Sequence, residues 1–156
     1  MLPVLLALAA SAMPVPPGEQ PVDPYAQSDA NAGAMRFQGQ SMWHAFHEQA
    51  GVQRIVDGFV DRDIADPVIG EIFKGQDIVR LRRTLKEQFC YILNGGCAYS
   101  GRTMKEAHKN LGIQIKDMNV LVVNLQKAMA AEGVPFFAQN RFLAKLAPMK
   151  KDVVVR

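Results

Sequence analysis

The chain is short of the residues that usually announce a chemistry. It has two cysteines and three histidines in 156 residues. Cys90 and Cys97 have no histidine near them, which excludes the paired spacing of a structural zinc site. There is no glycine-rich phosphate loop, so a nucleotide-binding reading has no footing. Internal repeats and sustained heptads are absent, which excludes a solenoid and a coiled coil. No run of period-two alternation occurs, and a sheet needs one. Charge of one sign is scarce too. Eighteen basic against fifteen acidic residues leave +3, and the one dense basic cluster is Arg80, Arg82 and Arg83, without interleaved aromatics. That is too little for nucleic acid. By itself the cluster reads as a solvated helix face or a contact for a small anionic ligand.

Long apolar runs are equally lacking. The opening MLPVLLALAASAMP has one, far shorter than the roughly 20 residues a spanning helix needs. It is followed by Ala10, Ser11 and Ala12, so residues 1–12 read as a secretory signal, although no Lys or Arg precedes the run. The expectation is a periplasmic or secreted protein with no membrane association after signal removal. Residues 13–40 are rich in Pro, Gly, Ala, Gln, Ser and Asp and poor in large apolar side chains, the composition of a disordered linker. The folded domain is expected over 41–156.

What is present from Ser41 onward is helical periodicity, which predicts an all-α domain. The spacing predicts helices over 42–49, 51–64, 77–93, 103–111, 116–132 and 136–151, with a single turn near 68–74. Breakers agree: Pro67, Gly75, the Asn94-Gly95-Gly96 triplet, and Gly133 with Pro135. Ile78, Leu81, Leu85, Phe89 and Ile92 form one stripe; Ile55, Phe59 and Val60 form another; Met118, Leu121, Val122, Leu125 and Met129 form a third. Composition alone makes these the core.

The stretch TMKEAHKNLGI, residues 103–113, is different. Thr103 with Glu106 reads as a capping box and Gly112 as a helix end, so the helix is about two turns long. Met104, Ala107, His108 and Leu111 share its inward face. An inward imidazole needs a partner, either a backbone group or a metal, and spacing leaves both open.

Together these segments resemble a family, the truncated two-over-two haemoglobins of group I, and within it a bacterial exported subset. The resemblance is carried by SMWHAFHEQAGVQRIVDGFVDRDIADPVI, IFKGQDIVRLRRTLKEQFCYILNGG, CAYSGRTMKEAHKNLGI and LAPMKKDVV, in that order. It implies a truncated globin-like helical sandwich holding haem b. His108 matches the iron ligand of such proteins and is the implied metal-binding residue. Phe73 matches the phenylalanine that packs on the porphyrin, and Tyr99 and Met104 match positions on the proximal and propionate side. Arg80 falls where a propionate is often met. Phe59, Val60, Leu81, Leu85, Phe89, Ile113 and Val122 complete the implied cofactor-binding set.

The ligand side departs from the family pattern. Val60 stands where many members have tyrosine, Leu85 where they have glutamine, and Leu81 where other globins carry histidine. This implies a dry, apolar pocket. A hydrogen bond to a charged ligand is worth about 1.5–3 kcal/mol, so without one dioxygen leaves roughly 10- to 100-fold faster. Only Gln88, one turn beyond Leu85, is within reach to replace it.

Three functions stay open at this point. The first is reversible binding of diatomic gases (O2, NO, CO), with nitric oxide dioxygenation as the associated reaction. The second is haem electron transfer or haem handling with an exchangeable sixth ligand, which implies an electron-donor protein. The third is a haem-free helical interaction module. Peroxidase chemistry needs a distal base and a donor, and Val60, Leu81 and Leu85 supply neither. His44 and His47 read as surface residues. Cys90 and Cys97 are either a disulfide, contributing about 2–3 kcal/mol, or two reduced thiols.

Overall fold

The helices begin and end where backbone chemistry dictates. The computed structural model describes residues 12–155; apart from Ala12, the expected signal sequence lies outside them. The α-helices are α1 Ser41–Ala45, α2 Glu48–Ala65, α3 Ile78–Ile92, α4 Met104–Ala107, α5 Ile115–Ala131, α6 Phe136–Leu146 and α7 Lys150–Val153. Single 3-10 turns occupy Asp29–Ala32, Gly70–Phe73 and Ala147–Met149. No strand occurs among the described residues, and the all-α expectation holds. The predicted helix over 136–151 is broken at Ala147–Met149 because Pro148 has no N–H to continue the ladder. The helix predicted over 103–111 is shorter, with Asn110 and Gly112 at φ 63° and 66° reversing the chain.

At the α1–α2 corner His47 and Glu48 both adopt left-handed backbone, with φ 60° and 57°. Gly51 follows because any Cβ there would run into the Phe46 carbonyl. The corner lets α2 cross α3 and α5, and α6 packs on α5. Phe142 of α6 seals the centre, its ring edge-on to Phe46 at 5.0 Å and to Phe89 at 4.8 Å. Ile55, Val56, Val60, Ile92, Leu93 and Met129 fill the space around it.

One buried polar link joins α2 to α5. Asp63, 1% exposed, accepts a 2.9 Å hydrogen bond from the Asn124 amide. Burial pushes the Asp63 carboxyl up to about 7, against the pull of Asn124, and the nearby Asp66 adds to the rise. A raised carboxyl stabilises the fold fully below its unfolded value near 3.8 and loses that contribution as pH climbs through about 7. Asp63→Asn is therefore expected to gain stability over the parent between about pH 4 and 8, by up to about 4 kcal/mol. Urea titrations of both proteins at several pH values read the difference, and parallel pH curves would contradict it.

The segment read as a disordered linker is instead packed. Glu19, whose side chain is fully covered, receives Arg83 Nε on both carboxylate oxygens at 2.9 Å. Tyr25 donates to the Ser100 carbonyl at 2.5 Å, and Ala32 is completely buried. Its hold is polar over most of its length, which a search for large apolar residues does not detect, and is completed by Ala32, Ala34 and Phe37 packing on the core.

Cys90 and Cys97 form a disulfide, with Cα atoms 5.7 Å apart. It ties the end of α3 to the loop that leads into α4.

Candidate functional site

His108 lies at the C-terminal cap of α4. The Met104 carbonyl, one turn earlier, meets the His108 backbone N–H at 3.1 Å and ring Nδ1 at 2.7 Å. A carbonyl only accepts, so Nδ1 carries the ring proton. Burial pushes the imidazole below its usual range, outweighing the Met104 bond that favours the charged form, and the nearby Arg102 lowers it further. The ring is neutral at pH 7, and Nε2 keeps its lone pair. Among the described residues Nε2 has no hydrogen-bond partner. This is the donor state a metal ligand requires, with the other nitrogen fixing ring orientation.

The side chains on the facing helices are set apart from the core by their exposure. Phe73, Leu81, Leu85 and Val122, expected at the site, are half-buried, as is His108. Ile78, Leu111, Met118 and Leu121 share this state. Periodicity reads them as core or helix face; Ile78 and Leu121, with Leu81 and Leu85, pack against the core cluster yet keep part of their surface open. A half-buried leucine leaves about 1 kcal/mol of apolar burial unclaimed. Eight such residues on α3, α5 and their flanking loops suit a flat apolar group that would cover them. Behind them Phe59, Val60, Phe89 and Ile113 are buried; Ile113 also accepts the Val155 N–H at 2.8 Å, which fixes the tail.

Three further residues expected at the site are engaged with protein partners. Arg80, read as meeting a propionate or solvent, is largely withdrawn from solvent: it donates to the Gln20 carbonyl at 2.7 Å and lies 3.7 Å from Asp77, its side chain 11% exposed. The packed N-terminal segment covers it. Tyr99 is buried and donates to the Arg102 carbonyl at 2.9 Å, and desolvation pushes its phenol up to about 12. Met104 is buried against Gly33 and Met149. Both support the lead-in to α4 from behind. Gln88, the one polar candidate beyond Leu85, is engaged with the Ala32 carbonyl at 2.8 Å.

An open groove of about 470 Å³ lies elsewhere, along the outer side of α3, lined by Gln49, Gln53, Arg82, Lys86 and Cys97 among others. Its cations are already satisfied. Arg82 pairs with Asp57 and Asp61, Lys86 with Asp57, and Arg83 with Glu19 and Glu87. His44 and His47 are exposed and engaged with Glu48 at 2.9 Å and Glu132 at 3.0 Å. No cluster of three or more metal-ligating side chains exists among the described residues. His108 therefore stands alone as a ligand, which suits a metal that arrives with its other ligands.

The family model of bacterial-like globins matches residues 41–155. The chain belongs to the bacterial-like globin family. This globin is a haem protein of the kind that binds diatomic gases. It is 29% identical over 99 residues to a group 1 truncated haemoglobin of Mycolicibacterium paratuberculosis, covering 64% of this chain and 73% of that one. To the group 1 truncated haemoglobin of Nostoc commune it is 28% identical, covering 68% and 90%. Among solved structures it superposes on the truncated haemoglobin of Tetrahymena pyriformis with TM-score 0.70 at 21% identity, covering 74% of this chain and 98% of that one. A 2/2 haemoglobin from a Synechococcus species, in the cyanomet state, gives 0.67 at 20% identity, covering 74% and 99%. These likenesses fix the fold as the two-over-two sandwich. No helix among the described residues is long and apolar enough to cross a membrane.

Proposed function

We propose that this globin holds haem b through Nε2 of His108 and binds diatomic gases reversibly on the opposite, apolar side. The observation that carries the reading is the Nδ1–Met104 carbonyl bond, which leaves a neutral ring with its Nε2 lone pair free. Haem supplies an iron with one open coordination position. The chain supplies orientation through Met104 and exclusion of water through Phe73, Leu81, Leu85 and Val122. It supplies no proton donor on the gas side, since Val60 and Leu85 have none and Gln88 is engaged elsewhere. Carbon monoxide and nitric oxide depend less on such a donor than dioxygen does. Gas uptake is therefore favoured over nitric oxide dioxygenation, which begins with a long-lived oxygen complex.

The electron-transfer reading needs a sixth protein ligand. The other two histidines are exposed at the α1–α2 corner, in contact with Glu48 and Glu132, and His108 is at the C-terminal cap of α4, which argues against it. Absorption spectra of the purified protein, ferric, ferrous and with carbon monoxide, test the proposal. Five-coordinate ferrous haem that takes up carbon monoxide rapidly is expected. A six-coordinate low-spin ferrous spectrum without added ligand would favour electron transfer, and no Soret band would leave a haem-free module. A periplasmic or secreted location belongs to the same proposal, supported by the Cys90–Cys97 bridge, because disulfides persist in oxidising compartments.

A further inference from the structure

The N-terminal segment makes more specific contacts than a covering needs, and they fall on two places. On α3, and at its N-terminal cap Asp77, it engages four residues: Glu19 takes Arg83, the Gln20 N–H donates to Asp77 at 2.7 Å, the Gln20 carbonyl takes Arg80, and the Ala32 carbonyl takes Gln88. Its other contacts lie on residues 99–104, the lead-in to the helix of His108. Asp29 accepts the Tyr99 N–H at 2.9 Å, Tyr25 donates to the Ser100 carbonyl, and the Asn31 amide reaches the Gly101 carbonyl at 3.4 Å. Gly33 then seats against Met104, where an added Cβ would lie 3.0 Å from the Met104 and Met149 side chains. Met104 is the residue whose carbonyl orients His108.

The segment thus bridges α3 and the lead-in to the helix of His108, the two elements that would flank a haem ligated by His108. Its hold is also easily released. Within residues 13–33 only Glu19 and Ala32 are buried, so the attachment is mostly hydrogen bonding with little apolar burial behind it, and such regions open locally without unfolding the core. Five prolines, Pro14, Pro16, Pro17, Pro21 and Pro24, restrict the released segment and lower the entropy lost on re-closing. Beneath the segment Arg80 Nε is buried without a hydrogen bond, with the Asp77 carboxylate 3.7 Å away.

From this we infer that residues 13–33 are a latch that joins α3 to the His108 lead-in and sets the rate at which haem is captured and released. The inference rests on haem ligation by His108. Closed, the latch fixes the separation of these two elements; open, it frees residues 99–104 and lets the proximal side move away from α3.

The test uses the full chain loaded with haem, comparing the parent with Glu19→Gln combined with Tyr25→Phe. These changes remove the buried charge and the Ser100 bond but touch no cleft residue. Two quantities are read: the rate of haem transfer to excess apomyoglobin, and amide hydrogen exchange across residues 99–108. Loss of a charged hydrogen-bond pair is expected to speed both roughly tenfold, while exchange in α2 and α5 stays as in the parent. Unchanged transfer with faster exchange at 99–108 would reduce the latch to a brace and overturn the proposal. Faster exchange throughout α2 and α5 would do the same, since the segment would then support the whole fold. Thermal melts of both proteins separate general destabilisation from latch release. A parent protein with no Soret band would instead sink the haem reading on which the latch depends.

Discussion

Replacing His108 with glycine is expected to speed haem loss by well over 100-fold, because even an outer partner of a metal ligand contributes about 10- to 100-fold. The variant removes the one uncommitted nitrogen donor of the site and leaves Met104 without its second hydrogen bond. The fold should survive, since the ring is half-buried and the Phe46–Phe142–Phe89 cluster lies elsewhere. Added imidazole should occupy the vacated space and restore the Soret band. That rescue separates a ligand from a packing residue. A His108→Gly protein that keeps a parental spectrum and a parental rate of haem loss would disprove the assignment, and a spectrum restored by imidazole would establish it.

Leu85→Gln carries the second large effect. It places a donor where the chain has a leucine, in a half-buried position on α3. A hydrogen bond to a ligand that draws charge from the iron is worth about 1.5–3 kcal/mol, so dioxygen dissociation should slow roughly 10- to 100-fold. Carbon monoxide dissociation should change far less. Stopped-flow displacement of each gas measures both rates on one sample. Equal slowing of the two gases would point to a narrowed exit rather than a hydrogen bond, and no change would place Leu85 off the gas side. The contrast with Gln88 is informative. The parent chain already holds a glutamine one turn away, yet its amide is committed to the Ala32 carbonyl and near the sulfurs of Met104 and Met149. Possession of a donor is not placement of one.

Much of the fold was legible before any coordinates. Helix limits depend on local chemistry, on caps, breakers and periodicity, and the predicted ends of α2, α3 and α5 lie within a few residues of the observed ones. His108 drew attention because a polar ring on an inward face is a debt that something must settle. Its Met104 bond is also local, one turn apart, and falls within the backbone-partner alternative that the sequence left open. Pro148 shows the limit of periodicity: the apolar pattern runs through it, and the missing N–H breaks the helix regardless.

The N-terminal segment was misread for a different reason. Composition measures what a segment is able to bury by itself, and residues 13–40 bury little by that measure. Their order comes from partners 50 to 75 residues away, such as Ser100 for Tyr25 and Arg83 for Glu19. An acidic residue in a proline-rich stretch and a basic cluster on a distant helix are complementary charges. No local rule pairs them, and the Gln20 partner of Arg80 was equally invisible. The choice between disulfide and free thiols was likewise settled only when the turn after α3 brought Cys97 back to Cys90.

The amino-acid sequence by itself determined that the chain is helical, where its helices stop, and which single imidazole stands on an apolar face. Those properties follow from interactions within a turn or two of chain. Tertiary structure alone decided which apolar residues are fully buried and which keep open surface, and where Gln88 and the arginines of α3 spend their hydrogen bonds. Burial and pairing between remote segments depend on how the whole chain closes, and no window of sequence contains that closure.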